Sequence, residues 1–414
     1  MTEDQRGAAL LRGAVSSPRA SFLELFFDLV FVFALTRVSQ RIIDEVTSPG
    51  RDVWSEVAQT VLLFLALWLV WTLTAWVTSR YEPERGIIQF VVVATMFGSM
   101  VMAVALPRAF AERALPFVCA YLAIQIGRPL LVTVALRRHP RRRVTMRIMA
   151  WFAAGAVPWL AGALVPQPAL RAVCWTAALA WDYAGLALGW PVPRLGPTRV
   201  SGWAVMGEHL AERYQQIFLI ALGETILVIG FTFSNSGFAA TGFAAFALSF
   251  LVTALFWRIY FHRAGHLLTE AIRVARSPGL LGESASWTHL VIVAGVLVTG
   301  VGYELVIDHP YARMEPVWPV FVMGGPALFL AARARFEYEI FGRVSRSRLA
   351  GVLALVALAP VALRMSPVVA LASAAAVLAA IAVRDMARSW GRPVERPASP
   401  LDRPGPAHPQ VAEG

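Results

Sequence analysis

"LELFFDLVFVFAL", residues 23–35, is apolar except for Glu24 and Asp28. Residues 1–20 are mixed polar and no small-residue cleavage site follows the apolar run, so the segment predicts a first membrane span, not a signal peptide. The two acids are four residues apart, about 40° in azimuth and about 6 Å along a helix axis, and share one face. That face continues to Leu35 and Ser39, while Phe27, Phe31 and Phe33 cover much of the remaining circumference. A charge at mid-span costs about 2.5–3.5 kcal/mol on insertion scales and normally pairs or lines a cavity. Glu24, near the start of the helix, is expected to snorkel to the interface. Asp28, a turn deeper, requires a partner inside the bundle.

Working outward, the 414 residues are 57% hydrophobic and only 15% charged, with mean hydropathy +0.60, which excludes an ordinary soluble domain. The formal net charge of +11 would suggest nucleic acid in a soluble protein. Here the arginines cluster in short loops between apolar runs, where they set topology, so no nucleic-acid partner is expected and the lipid bilayer is the partner. Cys119 and Cys174 fall inside apolar segments, which argues against a disulfide framework or a cysteine zinc site.

Stretches of roughly 20 apolar residues predict an all-α, polytopic membrane bundle of about twelve helices. They lie near 22–43, 53–79, 87–106, 114–136, 146–165, 169–190, 210–231, 239–261, 287–307, 316–334, 349–363 and 367–385. Basic residues alternate between loops: Arg137, Arg138, Arg141, Arg142, Arg143 and Arg147 fall after the fourth span, and Arg333, Arg335, Arg343, Arg346 and Arg348 after the tenth. The stretch after the seventh span has none and those after the fifth and ninth have only Arg171 and Arg313, so both termini are predicted to be cytoplasmic. The loop after the first span, flanked by Arg37, Arg41 and Arg51, fits this pattern least.

The two halves resemble each other. "QFVVVATMFGSMV" from Gln89 is similar to "HLVIVAGVLVTGV" from His289, and "ELFFDLVFV" from Glu24 can be laid on "ERYQQIFLI" from Glu212. The expected organisation is a cytoplasmic N-terminal tail (1–20), a first six-helix half (21–190), a cytoplasmic connector (191–209), a second half in the same orientation (210–390), and a disordered Pro-rich tail (391–414).

Further polar residues inside spans mark candidate sites. "GEHLAERYQQIFLIALGETILVIG", residues 207–230, carries Glu208, His209, Glu212 and Arg213 at its start and Glu224 deep within. Glu224 lies eleven residues beyond Arg213, about 20° in azimuth and roughly 16 Å deeper. It must pair with another span, take up a proton or bind a cation. Gly223 beside it is expected to admit a close helix. Other spans supply Gln125 and Arg128 next to Pro129, Asp182, His289 and Glu304. Arg128 is expected to pair with one of Asp28, Asp182 or Glu224. His262, His266 and Glu270 recur every four residues as metal ligands can, but their arginine-rich surroundings favour a solvated face, so no metal site and no cofactor are assigned.

Together "LELFFDLVFVFALTRVS", "YLAIQIGRPLL", "LAWDYAGL", "GEHLAERYQQIFLIALGETILVIG" and "THLVIVAGV" resemble the bacterial low temperature requirement protein A (LtrA) family over about residues 20–385. The resemblance implies a multi-pass protein of the bacterial cell membrane, linked by name to growth in the cold and hence to stress response. It carries over Glu24, Asp28, Arg128, Asp182, His209, Glu212, Arg213, Glu224 and His289 as candidate polar or transport-site residues without catalytic roles. A weaker similarity is to the endosomal and lysosomal potassium channels, whose repeats begin with a Phe-Ser-Asp motif. Phe26-Phe27-Asp28 lacks the serine, and Tyr214-Gln215-Gln216 lacks serine and aspartate.

The leading expectation is a transporter or ion-translocating protein that uses buried carboxylates and moves a small ion or solute. The alternatives are an intramembrane enzyme acting on a lipid or lipid-linked substrate, with His209 and Glu224 as acid-base candidates, and a membrane scaffold without transport. No familiar soluble-enzyme motif is present.

Overall fold

The computed structural model describes residues 10–11, 19–48, 52–137, 139–194, 196, 207–262, 266–275, 278–390 and 396–402. Among these the chain is helical, with no β-strand and two isolated bridges. The first six long helices are α1 (Phe22–Thr47), α2 (Val53–Thr78), α3 (Gly86–Ala105), α4 (Ala114–Ala135), α5 (Arg142–Leu164) and α6 (Pro168–Leu188). The rest are α7 (Gly207–Asn235), α8 (Ala240–Tyr260), the short α9 (His266–Val274), α10 (Pro278–Asp308), α11 (Gly325–Phe341, preceded by a π turn, Val320–Gly324), α12 (Arg346–Ala362) and α13 (Pro367–Ser389). Every predicted apolar stretch is thus helical. Among the described residues, eight helices (α2, α3, α4, α5, α7, α8, α10 and α13) are long and apolar enough to cross a membrane. The protein is a multi-pass membrane protein whose outer surface is apolar, with Phe26, Phe97, Leu164, Phe231, Phe250 and Leu353 exposed.

Helix ends depart from the apolar runs where polar residues continue the hydrogen-bond ladder. α7 and α10 begin at Gly207 and Pro278, several residues before the runs expected from 210 and 287, and α11 extends to Phe341, so Arg333 and Arg335 are helical and not in a loop. At the start of α1, Ser21 and Glu24 form a reciprocal capping box. Pro168 and Pro367 start α6 and α13 without losing an intrahelical donor, and α6 and α11 end at left-handed Gly189 and Gly342.

Two groups of helices pack in a similar order. α1 contacts α2 and α3, α2 contacts α3 and α6, and α3 through α6 pack in sequence; likewise α7 contacts α8 and α10, α8 contacts α10 and α13, and α10 through α13 pack in sequence. The two groups meet through α1 on α7 and α10, and α2 on α7. α2 and α10 are the most enclosed of the apolar helices, which places the centre of the bundle beside this junction. α10 and α11 approach closely because Gly295 faces the Phe329 backbone and Gly325 faces that of Thr299.

Three arginines that complicate the loop pattern are structural. Arg41 pairs with Glu45 at 2.6 Å and Glu56 at 3.1 Å and donates to the Leu106 and Pro107 carbonyls, so it adds no free positive charge to its loop. Arg171 donates to the carbonyls of Gly162, Ala111 and Val165, capping chain ends. Arg333 is buried and donates to the Ile259 and His262 carbonyls.

The described parts of both tails are docked. Leu11 bridges Tyr81, and Ala398 donates its N–H to the Ile340 carbonyl at 2.9 Å beside a short turn, Pro400–Asp402. The segment 396–402 is therefore ordered against α11, unlike the fully disordered tail expected from composition. The remainder of 391–414, most of 1–20 and of the 191–209 connector, Arg51 and Arg138 lie outside the described residues.

Candidate functional site

The junction of α1, α2, α7 and α10 gathers seven of the nine candidate residues, six of them on α1 and α7. Along α1 and α7 the same register holds throughout. Glu24 meets His209, Asp28 meets Arg213, and Ser39 meets Glu224, each 185 positions apart. Both helices space these residues by four and then eleven, nearly whole numbers of turns, so one stripe of each helix faces the other for about 22 Å.

At the near face, where α1 and α7 begin, a compact polar cluster is built. Arg213 Nη1 donates to Asp28 Oδ2 at 2.8 Å and Nη2 to Oδ1 at 2.7 Å, a two-point fork. Trp71 Nε1–H also donates to Asp28 Oδ1, at 3.2 Å. The guanidinium lies 5.9 Å from the ring centroids of both Phe27 and Trp71, which adds cation–π attraction in a dry setting. Asp28 is thus a saturated structural anion.

Glu24 does not snorkel: it is fully buried. Its Oε2 accepts from Ser21 N–H and Ser21 Oγ, both at 2.9 Å, and lies 3.1 Å from His209 Nε2. On the other side of the ring, Nδ1 is 2.8 Å from Ser79 Oγ, whose proton is directed to the Ala75 carbonyl at 2.7 Å. Glu24 Oε2, an acceptor, calls for a proton on Nε2, while Nδ1 shares the Ser79 hydroxyl with the Ala75 carbonyl. Glu212 Oε2 accepts Ala20 N–H at 2.9 Å, tying the segment before α1 to α7. Gln216, which the half-to-half alignment places opposite Asp28, accepts from Arg213 Nη1 at 3.0 Å.

Eleven residues deeper the chemistry reverses. Glu224 is fully buried, and the Ser39 hydroxyl faces it, yet neither Ser39 Oγ nor either Glu224 oxygen makes a hydrogen bond of good geometry with a described residue. No cation pairs with it among the described residues. Gly300 of α10 lies against it: a Cβ there would stand 3.6 Å from Glu224 Oε2. Gly223, expected to admit a neighbour, instead faces open space, with nothing within 4 Å of a Cβ. The close approach is made by Gly300 on the partner helix. Between the two levels, Phe31, Leu35, Ile217 and Ala221 are buried and fill the helix pair with apolar side chains.

The remaining candidates lie apart from this stripe. Arg128 pairs with none of Asp28, Asp182 or Glu224. Its guanidinium is satisfied by Thr74 Oγ1 at 2.7 Å and the Val70 carbonyl at 3.3 Å, within reach because α4 passes α2 at this level, and by the Gln125 side chain one turn earlier on α4. Asp182 accepts from Tyr121 Oη–H at 2.7 Å and Trp159 Nε1–H at 2.9 Å, joining α4, α5 and α6. His289 stacks on Tyr214 with centroids 4.9 Å apart, donates Nδ1–H to the Ala285 carbonyl and accepts from Tyr260 Oη–H, a satisfied neutral ring. His262 lies 3.0 Å from Arg258, the side chain of His266 is outside the described residues, and no cluster of three metal-type ligands occurs among those described.

The cluster also contains Trp71, Ser79 and Tyr214, which had no sequence signal beyond lying in apolar spans. The equal spacings, 24/28/39 and 209/213/224, would have paired the two helices.

No solved structure matches the chain. An uncharacterized protein of Rhizobium meliloti (strain 1021) is 38% identical over 317 residues, 76% of each chain. The model of the family described as bacterial low temperature requirement A protein (LtrA) matches residues 19–383, a span that contains α1 through most of α13 and every residue of the α1–α7 stripe. The chain belongs to the bacterial low temperature requirement A protein family.

Proposed function

We infer that the protein is an ion-translocating transporter of the bacterial cytoplasmic membrane, with Glu224 as the coupling carboxylate. One observation carries this reading: the buried Glu224 carboxyl, faced by Ser39, makes no ion pair and no hydrogen bond of good geometry among the described residues. A purely architectural acid is paired, as Asp28 is. An acid held this loosely is poised to hold and release a cation, and so to bias two arrangements of the surrounding helices. The similar packing order of α1–α6 and α7–α13 supports two parallel six-helix halves with the site between them, as in many transporters, and the arginine distribution supports cytoplasmic termini. The family name suggests that transport serves growth in the cold.

The enzyme alternative has no such support. His209 is held by Glu24 and Ser79 at the near face, fifteen residues from Glu224 on α7, about 22 Å along a straight helix.

The test is flux into sealed proteoliposomes across proton and alkali-cation gradients, comparing wild type with Glu224→Gln. Gradient-driven flux in wild type that is lost in the variant is the expected result. Absence of wild-type flux across a broad ion and solute panel, or equal flux in the variant, overturns the reading.

A further inference from the structure

From Glu224 a series of carboxylates runs toward one face. Gly300, which lies against it, is followed on the same face of α10 by Glu304 and Asp308, one turn apart and so about 6 Å apart along the axis. Exposure rises along this series: Glu224 is fully buried, Glu304 intermediate and Asp308 exposed. Asp44 of α1 is exposed beside Glu304. Among the described residues none of these four carboxylates forms an ion pair. From α1 the groups facing Glu224 are Ser39 and, further out, Asp44; from α8 comes Thr253, joined to Thr225 and Tyr303; from α10 come Glu304 and Asp308, the latter with His309 beside it. Asp44 also lines a cavity of ≈ 810 Å³ between the α1–α2 and α3–α4 connections, where Glu45, Asp52, Glu56 and Glu112 outnumber Arg41 and Arg108. Toward the near face the path is closed by the apolar layer of Phe31, Leu35, Ile217 and Ala221 and by the Asp28–Arg213 fork.

We propose that Asp308, Glu304 and Glu224 form a proton relay that opens only to the far face, where α1 and α10 end. The proposal rests on the transport reading for its purpose and specifies the ion and the side from which it arrives. A proton fits because carboxyls about one helical turn apart suit stepwise transfer, and among the described residues no three His, Cys, Asp or Glu side chains converge to hold a metal ion. Glu304 passes its proton to the Glu224 carboxylate and regains one from Asp308, which is exposed and draws on solvent at the far face. Like charge along the series favours sharing a proton over ionisation of every member.

The experiment uses dicyclohexylcarbodiimide, which modifies only protonated carboxyls in apolar surroundings, on the full chain in vesicles captured with the near face outward. Modification of Glu224 is read by peptide mass spectrometry. Acidifying the lumen alone is expected to raise its rate, by up to about tenfold per pH unit while Glu224 is mostly ionised; acidifying the outside alone leaves it unchanged. Glu304→Gln is expected to lower the lumen-driven rate, and Asp308→Asn to lower it less. Modification that follows external pH, or is unaltered by Glu304→Gln in a protein that keeps its unfolding midpoint, overturns the relay. Protection of Glu224 by lumenal sodium or potassium at constant pH overturns the choice of ion. The wild-type sidedness arm needs no variant to fold. Sided modification without flux overturns transport alone, and flux with modification from the near face overturns the relay alone.

Discussion

Asp28 and Arg213 are joined by two parallel hydrogen bonds of 2.8 and 2.7 Å, buried where α1 and α7 touch. The pair closes one end of the helix junction and holds α1 and α7 in register. Removing one partner leaves an uncompensated buried charge, which costs about 3–5 kcal/mol. Asp28→Ala is expected to lower stability by that order in detergent unfolding, and combining it with Arg213→Ala to recover part of the loss. Strict additivity of the two would show that the fork does not couple the helices.

Glu224 is expected to behave in the opposite sense. An unengaged buried carboxyl carries a desolvation cost with no matching contact, so Glu224→Met, similar in length and apolar, should leave stability unchanged or raise it by about 1–3 kcal/mol. The same variant should abolish flux. Thermal unfolding and transport measured on one preparation check both parts, and a large loss of stability would mean that Glu224 has a structural partner.

The bilayer made much of the fold legible, because roughly 20 consecutive apolar residues announce a spanning helix whatever it packs against. Helix ends were less legible: α7 and α10 run on through polar residues that continue the ladder outside the apolar stretch. The site was legible as a set of residues but not as pairs. A helical azimuth tells which residues share a face, as it did for Glu24 with Asp28, but not which helix that face meets. Thus Arg128 was an equally plausible partner for Asp28 until α1 was placed on α7. Burial of Glu24 was hidden for the same reason, since its depth depends on His209 and Ser79 from other helices.

Arg128 offers a further check, since its bonds run to Thr74, Val70 and Gln125 and not to an acid. Arg128→Gln combined with Asp28→Asn or Asp182→Asn should be additive within about 0.5 kcal/mol. Arg213→Gln with Asp28→Asn should depart from additivity by more than that. Double-mutant cycles of unfolding free energy distinguish the two arginines, and a coupling of Arg128 to either acid would contradict the observed geometry.

Two glycines predict contrasting effects of one added methyl group. At Gly295 a Cβ would stand 2.6 Å from the Phe329 backbone nitrogen and 3.0 Å from its Cα, neither of which can rotate away. α10 and α11 would have to separate, at a cost of about 1–3 kcal/mol typical of overpacking. At Gly223 nothing lies within 4 Å, and alanine also raises helix propensity by about 1 kcal/mol over glycine. Gly295→Ala should therefore lower the unfolding midpoint, whereas Gly223→Ala should hold or raise it despite sitting next to Glu224. Because Gly223→Ala leaves the carboxyl and its Gly300 contact in place, flux should also persist. Loss of flux in Gly223→Ala with unchanged stability would mean that the face beside Glu224 closes on another helix during transport.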